Sequence, residues 1–276
     1  MITIDNNRCT ACATCLDLRE GYCLTGPVQA IEIVHELCNE CLLCVAVCPA
    51  QAFTVEGFAP TRVDRDVIPG RAAMRELLLH RRSVRCFKEG PLDRDLVEEV
   101  VSMGRYAPSM NHAIEILAID DPEMLARIDA AAYGFYKKIY RWLFKPRLTY
   151  TFINIFRDDL HLARKKLEGT INDGRVLYPA PVLLIAMGDS RIPVTADSGH
   201  YILSTIMLYA ESLGLASCLM DSVKTALKVN RRLAREIGVP KRWIVIGALH
   251  LGYPASKVVN KLEGLSMPFC WNRRRE

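Results

Sequence analysis

No stretch of the 276-residue chain stays apolar long enough to cross a bilayer. Ser204, Glu211 and Gly214 interrupt the greasiest window, residues 202–220, so a membrane protein is not expected. The glycines form no Gly-x-Gly-x-x-Gly run after a strand, which argues against a separate nicotinamide-binding domain. The six histidines show no metal-ligand spacing and read as structural, although His112, beside Asn111, could reach a bound cofactor. Lysines and arginines nowhere alternate with stacking aromatics as in a nucleic-acid module, so nucleic acid is not an expected partner. The opening residues Met1, Ile2 and Thr3 lead into no secretory signal, and a reducing cytoplasm is expected.

What the chain has is cysteine, unevenly placed. Eight of the 11 lie in the first 48 residues, as Cys9-x2-Cys12-x2-Cys15-x7-Cys23 and then Cys38-x2-Cys41-x2-Cys44-x3-Cys48 before Pro49. Disulfides would need an oxidising compartment, and zinc favours two Cys-x2-Cys pairs over triplets with a trailing Cys-Pro. The second half fits the bacterial iron–sulfur run. Two residues between cysteines let the backbone wrap one face of a small cluster with its N–H groups turned toward sulfur. Cys9, Cys12 and Cys15 recur 29 residues later as Cys38, Cys41 and Cys44, and Ile2 and Ile4 recur as Ile31 and Ile33. Over residues 1–58 this duplication resembles two-cluster ferredoxins. The resemblance implies two [4Fe-4S] clusters, one on Cys9, Cys12, Cys15 and Cys48, the other on Cys38, Cys41, Cys44 and Cys23. Cys23 departs from the pattern, because Gly26 rather than a cysteine precedes Pro27. Cys86, Cys218 and Cys270 read as buried small apolar residues.

Charge divides the chain at the same place. Residues 1–60 hold two basic and seven acidic side chains, a net of −5, and the rest is net +10. An acidic module could therefore dock on a basic body, within the chain or across subunits, and a basic body suits an anionic cofactor. Residues 59–70, punctuated by Pro60, Pro69 and Gly70, read as a linker, leaving 71–276 as a second domain.

In that domain residues 71–82 show helical spacing, followed by Arg81, Arg82, Ser83, Val84, Arg85, Cys86 and Phe87. If extended, this run sets Arg81, Ser83 and Arg85 on one face, a receptor for a phosphate dianion. Asp93 should cap a helix ending near Gly104, and residues 114–119 should form a strand. Residues 133–157 hold nine aromatics, six basic side chains and no acid, with Tyr133, Tyr136, Tyr140 and Phe144 at helical spacing. Packing against the core, a lid over a bound cofactor and an interfacial helix all fit that pattern.

The ordered set of Arg81, Arg82, Ser83, Arg85, Phe87, then Ala107, Pro108, Ser109 and Asn111 before a strand, resembles FMN-dependent nitroreductases. Ala180-Pro181 before the strand 182–187, Asp197 and Gly199 opening an apolar helix, residues 210–217, and the strand 243–251 with Gly252 and Pro254 continue the likeness. It implies an α+β FMN domain and a homodimer with two FMN molecules at its interface. Arg81, Arg82, Ser83 and Arg85 would hold the phosphate and ribityl chain. Pro108, Ser109 and Asn111 would approach from the other subunit, and Asp221 and Ser222 would offer backbone N–H groups to the flavin ring. Ala113 stands where the family usually has an amide, and only Lys257 and Lys261 stand where it usually has a further phosphate-binding arginine. The implied activity is electron transfer from the clusters through FMN to a small electron-poor acceptor, a nitroaromatic or quinone. Reduced ferredoxin is the favoured donor and NAD(P)H the other. A relay to a protein partner, or a dehalogenation or C=C reduction, are the alternatives.

Overall fold

The computed structural model describes residues 1–18, 23–109, 113–144 and 160–271. Asn111, His112, Tyr150, Phe152, Phe156 and Arg273–Arg275 therefore lie outside the described residues.

The cysteine-rich front follows its repeat. Strand β1 (Ile2–Ile4) pairs antiparallel with β4 (Phe53–Val55), and β2 (Leu24–Thr25) pairs with β3 (Glu32–Ile33). A short helix, α1 (Leu43–Val47), begins inside the second cysteine triplet, after a 3-10 turn at His35–Leu37. The buried core here is small: Ile2, Cys15, Ile31 and Phe53. Repeat-related Ile2 and Ile31 are both in it, so each half contributes one apolar anchor.

The body is organised by a different rule. Residues 182–189 run almost unbroken in apolar side chains, a pattern that suits a strand covered on both faces. They form β6 (Val182–Asp189), in which all eight residues are buried. The sheet order is β5-β6-β8-β7, antiparallel throughout, with β5 (Ile114–Ile119), β7 (Ala216–Leu219) and β8 (Trp243–Gly252). The helices are α2 (Arg71–His80), α3 (Arg94–Ser102), α4 (Pro122–Leu143), α5 (Leu160–Asp173), α6 (Thr195–Ser212), α7 (Asp221–Val229) and α8 (Arg231–Glu236). One face of the sheet is covered by α6 through Leu203, Ile206 and Ala210, with Val97 and Val100 of α3. Gly199 permits this approach, since a Cβ there would lie 2.6 Å from Ile246 Cδ1. The other face is covered by α4 and α7 through Ile128, Ala132, Val223, Ala226 and Leu227.

Asp93 caps α3 by accepting a hydrogen bond from the Asp95 N–H at 3.0 Å. Helix α4 starts well before the aromatic run, where Asp121 accepts from the Met124 N–H at 2.8 Å and Pro122 fills the first turn. The reading of all three scattered cysteines as buried needs correction. Cys218 is buried in β7, but Cys86, on the run along the sheet rim, and Cys270, in the irregular segment after β8, are exposed. Among the described residues no helix is long and apolar enough to cross a membrane.

Candidate cofactor-binding sites

In the front region four residues between the cysteines adopt left-handed backbone: Ala11, Ala13, Glu40 and Leu42, with φ of 54°, 60°, 49° and 61°. None is glycine, and such conformations are uncommon for side-chain-bearing residues. Ala11 and Glu40 are repeat-equivalent, as are Ala13 and Leu42, so the strain recurs at the same steps of both triplets. Strain repeated in this way belongs to loops shaped around something. Donors already point at sulfur. The Thr14 hydroxyl reaches Cys12 Sγ, the Glu40 N–H reaches Cys38 Sγ and the Ala52 N–H reaches Cys48 Sγ, each at 3.4 Å.

The thiols fall into two groups. Burial raises the Cys15 pKa, and the charges of Cys48, Cys9 and Cys12 raise it further. Burial likewise raises that of Cys23, followed by Cys38 and Cys41. Cys44 is pushed up to about 12, first by burial and then by Cys41, Cys23 and Cys38. The thiols that act on Cys15 are thus Cys48, Cys9 and Cys12, and those that act on Cys44 are Cys41, Cys23 and Cys38. Mutual repulsion of this kind is relieved when cationic iron draws the protons off. Among the described residues no three His, Cys, Asp or Glu side chains converge tightly enough for one ion. The fit to a cluster rests on the loops, whose strained turns repeat in both triplets and whose donors reach Cys12, Cys38 and Cys48 sulfur. The residues fit clusters.

The second site is built where residues 81–88 lie along the sheet rim. The Val84 N–H donates to the Ser217 carbonyl at 3.1 Å, the Lys88 N–H to Tyr253 at 2.8 Å, and the Ala255 N–H to Cys86 at 3.0 Å. The run is therefore extended, as its phosphate-receptor reading required. Burial raises the Cys218 thiol, while Arg85 and then Arg81 pull it back, so both guanidiniums act on the same point of β7. Arg85 also stands 5.8 Å from the centre of the Tyr178 ring. Arg82 does not join them; it is exposed and donates to the Arg81 carbonyl at 2.8 Å. Ser83 is exposed on the same rim, paired in register with Ser217.

Arg85, Asp221 and Ser222 line one open cleft of about 710 Å³, with Cys218, Leu219 and Met220 from the end of β7. Asp221 and Ser222 begin α7, whose N-terminus carries the positive end of the helix dipole; the Val223 N–H is bonded to the Met220 carbonyl at 3.1 Å. The Ser222 and Ser217 hydroxyls are buried without a partner. An orphaned hydroxyl in a cleft wall, beside a helix N-terminus and a guanidinium, suits a ligand rich in acceptors and carrying a phosphate. FMN is such a ligand, and the residues fit it.

Pro108 and Ser109 do not join this cleft in the same chain. Ser109 instead lines a hollow of about 300 Å³ with Gly104, Arg105, Ile114 and Ile202. Tyr136, which the sequence marked within the aromatic face of residues 133–144, also lines the cleft, whereas sequence reasoning missed Ala163, Lys166, Leu167 and Thr170 from α5, and Val176 and Tyr178. The aromatic face of α4 explains the arrangement. The Tyr133 hydroxyl donates to the Ile171 carbonyl at 3.3 Å and that of Tyr140 to Glu168 at 2.8 Å, which sets α5 against α4. The Tyr136 phenol is left toward the cleft, its pKa raised by burial and then by Asp221. Of the readings of residues 133–157, packing is what Tyr133 and Tyr140 do; residues 145–157 lie outside the described residues. Lys261 is not available as a phosphate ligand, since it pairs with Glu76 at 2.6 Å and Glu263 at 3.1 Å.

Comparison with known proteins agrees with this geometry. The nitroreductase family model matches residues 78–253, and a 4Fe-4S binding domain model matches residues 31–54. A nitroreductase with bound FMN from Bacteroides fragilis superposes with a TM-score of 0.56 at 22% identity, covering 73% of this chain and 98% of its own. A nitroreductase with bound FMN from Desulfitobacterium hafniense gives 0.54 at 16%, covering 71% and 98%. An FMN-dependent nitroreductase from Clostridium difficile gives 0.53 at 15%, covering 72% and 98%. With the α+β body spanned by the first of these models and a 4Fe-4S region ahead of it, the chain belongs to the nitroreductase family.

Proposed function

We propose that this oxidoreductase is an FMN enzyme fed by its own iron–sulfur module. Residues 1–58 carry two [4Fe-4S] clusters, 59–70 link, and 71–276 form the FMN domain of a cytoplasmic homodimer. The observation that carries the reading is the meeting of Arg85, Asp221 and Ser222 in one cleft, with the Ser222 hydroxyl unpartnered at its wall. When bound, clusters exchange single electrons and a flavin stores two, which lets one-electron donors drive a two-electron reduction.

The protein's own part is binding and electrostatics. Arg81 and Arg85, with Ser83, hold a phosphate by charge-assisted hydrogen bonds. The N-terminus of α7 at Asp221 and Ser222 would offer N–H groups to a bound flavin and so favour its more negatively charged reduced form. Tyr136, Leu167 and Tyr178 offer flat apolar surface on which a small electron-poor acceptor, a nitroaromatic or quinone, stacks. Pro108, Ser109 and Asn111 serve the partner's site, in keeping with Ser109 lying outside the cleft of its own chain. The extended arm from Val259 to Trp271 supports a dimer, because Val259, Leu265, Met267, Phe269 and Trp271 are all exposed in one chain.

The test is anaerobic reduction of the holoprotein by NADH, NADPH and reduced ferredoxin in parallel, following the flavin absorbance. Reduced ferredoxin should bleach it in protein retaining its iron, and turnover of a nitroaromatic or quinone should follow. Iron-replete protein whose flavin stays oxidised with reduced ferredoxin would remove the clusters from the path.

A further inference from the structure

One cation joins the front region to the body. Arg105 Nη2 lies 3.0 Å from Glu56 Oε1 and 3.8 Å from Glu40 Oε2. The two carboxylates come from separate parts of the front's sequence, and the Met1 ammonium also lies near both, 3.9 Å from Glu40 Oε1 and 3.8 Å from Glu56 Oε1. Glu56 follows β4, and Glu40 sits inside the turn between Cys38 and Cys41. Both glutamates have left-handed backbone, with φ of 51° and 49°, so their carboxylates are presented by turns already fixed in shape. The Glu40 N–H also donates to Cys38 Sγ at 3.4 Å, so whatever holds Glu40 holds that cysteine loop.

The receiving side is equally fixed. Arg105 belongs to the 3-10 turn Met103–Tyr106, which is seated on α6 by Gly104. A Cβ at Gly104 would lie 2.9 Å from Ile202 Cγ2, so the turn cannot move away without opening that contact. The same turn leads into Pro108 and Ser109, and Arg105 and Ser109 share one hollow.

We propose that Glu40, Arg105 and Glu56 form a latch that seats the cysteine module on the body, and that the Cys38–Cys44 side is therefore the face presented to the flavin loop. The second half of this inference rests on the electron path proposed above; the first half does not. An exposed ion pair alone contributes little. Here one guanidinium is shared by two carboxylates held on rigid turns, and the net −5 front and net +10 remainder favour the same seating at longer range. The linker side is tied separately, by the Gln51 Nε2 donor to the Pro60 carbonyl at 2.7 Å, so loss of the latch should let the module swing and not detach.

The experiment uses full-length holoprotein under anaerobic conditions, with iron and flavin content confirming intact variants. Arg105→Glu should speed tryptic cleavage within residues 59–70 and amide exchange at residues 55–58 and 103–106 by roughly fivefold, the scale of an exposed ion-pair network. Arg105→Glu combined with Glu56→Arg should bring both back toward the parent. Arg105→Gln, which keeps hydrogen bonding without charge, carries the same test if charge reversal lowers the yield. Unchanged cleavage and exchange, or no recovery in the swapped pair, would overturn the latch. If cleavage and exchange rise while the rate of flavin reduction by reduced ferredoxin stays the same, the latch stands and the electron path falls.

Discussion

The front and the body of this protein solve the folding problem with opposite resources. In the body, eight consecutive residues of β6 are buried and helices cover both sheet faces. In the front, four strands of two or three residues surround a buried core of Ile2, Cys15, Ile31 and Phe53. A chain of that size with so little apolar burial ordinarily needs staples. Burial and then neighbouring thiols raise the pKa of Cys15 and Cys44, and its loops hold strain at Ala11, Ala13, Glu40 and Leu42. The body is therefore stable by burial, and the front by what its thiolates bind.

The largest expected effect attacks that contrast directly. Removing iron by chelation under oxidising conditions should unfold residues 1–58 and leave the body's amide protection in place, because cluster binding energy is folding energy for such modules. Hydrogen exchange read region by region checks this, and a front that stays protected without iron would erase the distinction. Intact protein should carry roughly eight irons per chain. Next in size, Leu184→Ala at the fully buried centre of β6 should destabilise the body by about 2–5 kcal/mol, read by denaturant unfolding, with iron content unchanged.

A third effect is pH dependence confined to the body. Burial holds His250 well below the usual imidazole range, at about 4, and its Nδ1 has no partner. Its folded pKa is depressed, so the neutral ring's contribution is complete above the unfolded value near 6.5. That contribution falls as pH drops toward 4, because only the unfolded chain takes up the proton. Between pH 7 and 5 this should remove about 2 kcal/mol from the body's stability. His250→Gln should flatten the difference, and a parent already flat across that range would contradict the assignment. The smallest effect concerns the cleft. Arg85→Ala should weaken FMN retention by roughly tenfold through loss of a charge-assisted contact while the clusters stay. Flavin release measured by fluorescence after dialysis would show it, and unchanged retention would reassign the phosphate to other residues.

Legibility followed the same division. In the front, chemistry is local in sequence: three cysteines at two-residue spacing share one loop, so the candidate ligands stand out in the repeat itself. The strands 114–119, 182–189 and 243–252 were also readable, because burial on a sheet leaves a continuous apolar record. The cleft was legible only in part. Arg81, Ser83 and Arg85 stood out as a short motif and Tyr136 as part of an aromatic face, but Lys166, Thr170 and Tyr178 carry no mark of their own. They reach the cleft because Tyr133 and Tyr140 bond α5 to α4, a contact between residues 28 to 38 positions apart. Cys86 and Cys270 were misjudged for a related reason: cysteine type suggests burial, but exposure is decided by which element the residue ends on.

By itself the sequence determined which residues could ligate and which segments must be covered, since thiolate spacing and apolar periodicity act over a few residues. Only the tertiary structure decided that Arg85 and the start of α7 face one cleft, that Ser109 faces another, and that Glu40 and Glu56 meet on Arg105. Those juxtapositions depend on how whole helices stack across a sheet and how one region seats on another. They are set by shape and charge summed over many contacts, and no local stretch of the chain encodes them.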